Sequence, residues 1–71
     1  MGRQKLNEEK VELVKYLLTK NLKHRVIGQM VGVGRIAINH IANNRRWSDI
    51  NKPEDIRGEY LFYKLLNGKL K

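Results

Sequence analysis

The side chains best suited to specific polar recognition are concentrated in one stretch, "GRIAINHIANNRRW". Arg35 presents a planar fork of donors, and Asn39 and Asn43 each present a donor and an acceptor on one planar amide. Groups of this kind pair with two atoms of a purine edge at once, arginine with guanine O6 and N7, asparagine with adenine N6 and N7. Cations surround them. Lys15, Lys20, Lys23, Arg25, Arg35, Arg45 and Arg46 all lie between Glu12 and Asp49, and no acidic residue falls in that interval. The chain carries 15 Lys and Arg against 7 Asp and Glu, a formal charge of +8. A basic middle without counter-charges points to a polyanionic partner.

Catalytic chemistry finds no support. Ser48 is the only serine, and no serine–histidine–carboxylate set can be assembled. The acids group as Glu8, Glu9 and Glu12 and as Glu54, Asp55 and Glu59, outside the basic run, where a metal-dependent nuclease would need them to converge. His24 and His40 have no carboxylate or thiol ligand near them in sequence, and cysteine is absent. The chain is therefore expected to be no enzyme, with no catalytic residue, no metal, no cofactor and no small-molecule substrate. No apolar run approaches a membrane span, and the start lacks the apolar core of a signal peptide. Met1 and Gly2 open like a lipidation signal, but Leu6 stands where Ser or Thr is required. A cytoplasmic location is expected, the host cytosol if the chain is phage-encoded.

The elements that must position these residues are helical. Asn7 can cap a first helix over about 7–20, with Glu8 and Glu9 at its positive end and Leu6 stapled onto Val11. Val11, Val14, Leu17 and Leu18 form its apolar stripe, widened by Leu13, and Asn21 suits a left-handed stop. A second helix fits about 24–31, burying Val26, Ile27, Met30 and Val31. A third fits about 34–43, with Ile38, Ile41 and Ala42 inward. After a connecting segment over 44–52, Pro53 opens a fourth helix to about Leu66, ended by Gly68. All 71 residues read as one all-α domain of four helices.

Glycine disfavours helix, yet Gly28, Gly32 and Gly34 sit in the most apolar region. Gly28 falls where the second helix must approach the third. Gly32 falls in the turn, where a left-handed backbone carries no penalty, and Gly34 stands at the cap of the third helix. Dinucleotide and phosphate-loop readings fail for want of a third glycine, a βαβ pattern or a Gly-Lys-Ser/Thr. A membrane dimer motif is excluded by Arg25, Gln29 and Arg35.

The residues "HRVIGQMVGVGRIAINHI", with Ile27-Gly28, Gly32-Val33, Ile38 and Ile41, resemble the helix-turn-helix of DNA-binding proteins, closest to the compact phage and invertase type. A first helix like "NEEKVELVKYLL" precedes the motif there, and "NNRRWSDI" is similar to the segment after the motif in DNA-binding tails of phage homing endonucleases. The similarity spans about residues 5–50. Gly28 stands where alanine is usual, and Gly34 where a serine or threonine cap is usual. The resemblance implies a three-helix helix-turn-helix domain, here followed by a fourth helix, and a small phage or mobile-element transcriptional regulator. Its third helix would lie in the major groove of double-stranded DNA.

With Ile38, Ile41 and Ala42 inward, the helical period turns Arg35, Ile36, Asn39, His40 and Asn43 outward as base contacts. Ile36 suits a thymine methyl or the core. His40 suits a base or a phosphate. Lys23, His24, Arg25, Asn44, Arg45 and Arg46 are the expected phosphate contacts. Trp47 either joins the core or sets its indole N–H on a phosphate. Ile56, Tyr60, Leu61, Phe62, Tyr63, Leu65 and Leu66 exceed a single stripe, so residues 56–66 are a candidate homodimer contact. That excess also supports a second reading, a protein-interaction module such as a phage-encoded inhibitor or adaptor on the same scaffold. RNA binding fits less well, because only Trp47 interleaves an aromatic with the basic residues.

Overall fold

The computed structural model describes residues 6–69, so the readings on Met1, Gly2 and the rest of the first five residues lie outside the described residues. The fold is all-α: α1 (Glu8–Leu18), α2 (His24–Val31), α3 (Arg35–Ala42) and α4 (Asp55–Leu66).

α1 begins as expected. The Asn7 side chain accepts from the Lys10 backbone N–H at 2.9 Å, and Glu8 and Glu9 occupy the first turn. It ends at Leu18, short of the expected 20. The Thr19 hydroxyl donates to the Tyr16 carbonyl at 2.6 Å, and Asn21 turns left-handed at φ 63°. α4 likewise starts later than expected, at Asp55, with Pro53 buried ahead of it.

α1 is the hub. It packs against α4 on one side and against α2 and α3 on another. Val11, Leu13, Val14 and Leu17 of α1, Ile27 and Val31 of α2, Ile38 and Ile41 of α3 and Leu61 of α4 form the buried core. Fully burying one such side chain is worth about 1.5–3 kcal/mol. Val26 and Met30 are only half-buried.

Tyr16 joins the core from a position outside the apolar stripe. A Cβ on Gly58 would lie 2.2 Å from Tyr16 Cδ1, so α4 seats its glycine directly on that ring. Two ion pairs flank the contact, Arg57 to Glu12 at 3.1 Å and Lys64 to Glu9 at 3.0 Å.

Two assignments change. Ala42 is exposed rather than inward. It is the last residue of α3, where the chain is about to reverse, and no helix covers it; Ala37 takes the half-buried place. In α4, Leu61 is buried and Phe62 and Leu65 are half-buried, but Ile56, Tyr60, Tyr63 and Leu66 are exposed. The fourth helix thus shields the core with one face and leaves another uncovered.

Candidate nucleic-acid interface

α2 and α3 are joined by Gly32, Val33 and Gly34 alone. Gly32 is left-handed at φ 83°, and the N–H groups of Gly32 and Val33 both donate to the Gly28 carbonyl, at 2.8 and 2.9 Å. A Cβ at Gly28 would stand 2.6 Å from the Val33 carbonyl oxygen. The turn therefore folds back onto α2 itself, and only glycine leaves room for it. Around Gly34 nothing lies within 4 Å of an added Cβ. Its smallness has no steric cause, and α3 starts without a side-chain cap.

The buried Ile38 and Ile41 fix the rotation of α3. Arg35, Ile36, Asn39 and Asn43 then share one exposed face. Ile36 is 68% exposed, which removes it from the core. Asn43 Nδ2 donates to Asn39 Oδ1 at 3.3 Å, aligning the two amides one helical turn apart. His40 departs from the expectation. It is half-buried on the flank of α3, where it lines one hollow together with Arg46 and Trp47 of the returning chain.

Two hollows flank α3, and Ile36 lines both. One, of about 630 Å³, is walled by Lys23, His24, Arg25, Arg35, Ile36 and Asn39. Arg35 thereby joins the cations at the start of α2, whose first turn has no side-chain cap for its N–H groups. Such a turn favours an anion. The other, of about 910 Å³, is mainly apolar, with Val33, Ala37, Ile41 and Trp47 in its wall and Gln29, His40 and Arg46 as its polar members.

Beyond α3 the chain makes a tight reversal. Asn44 is left-handed at φ 58°, Asn44 N–H donates to the Ile41 carbonyl at 3.1 Å and Arg45 N–H to the His40 carbonyl at 2.9 Å. This is the Schellman arrangement, and here asparagine supplies the left-handed residue. Trp47 is left-handed as well, at φ 61°, and half-buried against the core. The Lys15 ammonium holds this corner by donating to the Trp47 carbonyl at 2.8 Å and also to the Ile50 carbonyl. Lys15 is therefore a tether from α1 rather than part of the solvated basic run. A signal existed in the sequence: Lys15 stands four residues after Val11 and three before Leu18, inside the apolar stripe.

Electrostatic segregation completes the site. Among the described residues both ion pairs join α1 to α4, and neither engages Lys23, Arg25, Arg35, Arg45 or Arg46. Glu8, Glu9, Glu12, Asp49 and Glu54, with Lys52 and Arg57 among them, gather around a separate hollow that shares no residue with the cationic one. No group of three or more potential metal ligands occurs among the described residues, and none of their helices is long and apolar enough to cross a membrane. The arrangement can bind an anionic backbone beside a helix that presents amide and guanidinium groups. The chain matches no protein-family model, no curated protein and no solved structure.

Proposed function

We propose that the chain is a sequence-specific reader of double-stranded DNA, of the helix-turn-helix kind, acting as a small phage or mobile-element transcriptional regulator. The major groove is about 12 Å wide and accepts one helix. α3 enters it with Arg35, Ile36, Asn39 and Asn43 toward the base edges. Lys23, His24 and Arg25 take a phosphate on one side, and Asn44, Arg45 and Arg46 take the backbone on the other. His40 serves from the flank of α3, and Arg35 serves base and phosphate alike. The observation that carries this reading is the set of cations without ion-pair partners around the exposed amide row of α3. Residues 56–66 are the surface for a second copy of the chain. Such a reader works in the cytosol, that of the host if it is phage-encoded.

The test is selection from a random duplex pool at physiological salt, with sequencing of the bound fraction. An enriched motif is the expected result. Salt-sensitive binding without enrichment leaves only backbone contact and overturns sequence-specific reading. A second reading, a protein-interaction module on the same scaffold, is favoured by the exposed Ile56, Tyr60, Tyr63 and Leu66. It requires weak DNA binding with no base dependence.

A further inference from the structure

We propose that two copies of the chain associate through α4, pairing their fourth helices antiparallel about a two-fold axis. Ile56, Tyr60 and Tyr63 follow one another at helical spacing and are 82%, 51% and 57% exposed, with Leu66 at 68% beside them. Large aromatic and aliphatic groups in one uncovered row mark an association surface. α4 packs mainly on α1 rather than on the α2–α3 unit.

Charge selects a second copy as that partner. The chain as a whole carries +8, which repels its own kind. Residues 54–66 instead hold three acids, Glu54, Asp55 and Glu59, and two bases, Arg57 and Lys64, a net of −1. Both bases pair with Glu12 and Glu9 of α1, and both also lie over the Tyr60 ring, Arg57 at 6.0 Å and Lys64 at 5.4 Å from its centre. The other charges are polarised along the helix: Glu54 at its cap and Asp55 and Glu59 in its first half outnumber Lys52 just ahead of it, and Lys69, exposed, lies just past its end. Antiparallel pairing sets the acidic start of each α4 beside Lys69 of the other copy. It also brings Tyr60 of one copy against Tyr63 of the other. A two-fold contact must be self-complementary in this way. The pairing needs no DNA. Its consequence, two α3 helices presented to an inverted repeat, rests on the DNA-reading function proposed above.

Sedimentation equilibrium of the full chain without DNA tests it. A dimer at micromolar concentration is expected. Ile56→Glu, at an exposed position, should raise the dissociation constant by about tenfold or more, with the helical circular dichroism and melting temperature retained. Asp55→Lys should weaken association, and Asp55→Lys combined with Lys69→Glu should recover it. A wild-type chain that stays monomeric up to submillimolar concentration overturns the proposal, whatever other protein it captures. So does a dimer indifferent to Ile56→Glu. A charge reversal that fails to recover the Asp55→Lys defect overturns the antiparallel register. A dimer that selects no DNA motif would leave this pairing intact and remove only the DNA-reading function.

Discussion

The ammonium of Lys15, in the middle of α1, donates to the carbonyl oxygen of Trp47 at 2.8 Å, and the same ammonium reaches Ile50. One charge therefore holds two backbone acceptors of the segment that follows α3. This contact links the core helix to the corner that carries Arg45 and Arg46. Hydrogen bonds to a charged group contribute about 1.5–3 kcal/mol. Lys15→Met should lower stability by about that amount in urea unfolding. On the proposed DNA-reading function it should also weaken DNA binding while leaving the salt slope unchanged, because the Lys15 ammonium is taken up by the Trp47 and Ile50 carbonyls. Arg45→Ala should instead reduce that slope by about one. Equal slopes for wild type and Arg45→Ala would remove Arg45 from the backbone contact.

The glycines Gly28 and Gly34 should respond in opposite directions. Gly28→Ala drives a methyl to 2.6 Å from the Val33 carbonyl oxygen, and backbone there cannot swing aside. A loss of about 1–3 kcal/mol is expected, the usual cost of overpacking. Gly34→Ser meets open space, at φ −74° and ψ 158°, in the extended region that a capping serine prefers. It should stabilise by about a few tenths of a kcal/mol. Thermal unfolding of the two variants side by side checks the pair.

Gly58 reports on the seat of α4. A Cβ there would fall within 2.5 Å of three ring atoms of Tyr16. Tyr16 is only 7% exposed, so its ring has little room to move. Gly58→Ala should cost about 1–3 kcal/mol. It should act by lifting α4, so hydrogen exchange should quicken in α4 and at the matching face of α1 more than in α2 and α3. Uniform exchange across all four helices would contradict that local mechanism.

The two kinds of DNA contact proposed for this chain should separate in titration. Asn39→Ala removes an amide from the exposed row of α3 and should cost about 1–3 kcal/mol against the preferred base at one position of the site. Lys23→Ala, in the cationic hollow, should weaken all sequences alike and lower the salt slope by about one. If Asn39→Ala weakens every sequence equally, Asn39 is no base contact.

The four helices, the cap at Asn7, the left-handed Asn21 and Gly32, and the outward row of Arg35, Asn39 and Asn43 were legible in the sequence. Each follows from chemistry local to a few residues: a capping amide, a missing Cβ, an apolar residue every third or fourth place. Ile36 stayed open between that row and the core until its exposure removed it from the core. Tertiary structure alone decided what depends on residues far apart in the chain. Period marks Tyr16 as off the stripe, and only the approach of Gly58 from α4 makes it core. Charge counts Lys15 among the solvated cations, and only the return of Trp47 and Ile50 makes it a tether. Ala42, exposed, and His40, half-buried, depart from the helical period for a related reason. A helical wheel assumes neighbours along its whole length, whereas α3 ends at Ala42 and the chain doubles back past His40. Packing, which sets who is neighbour to whom, is a property of the folded whole.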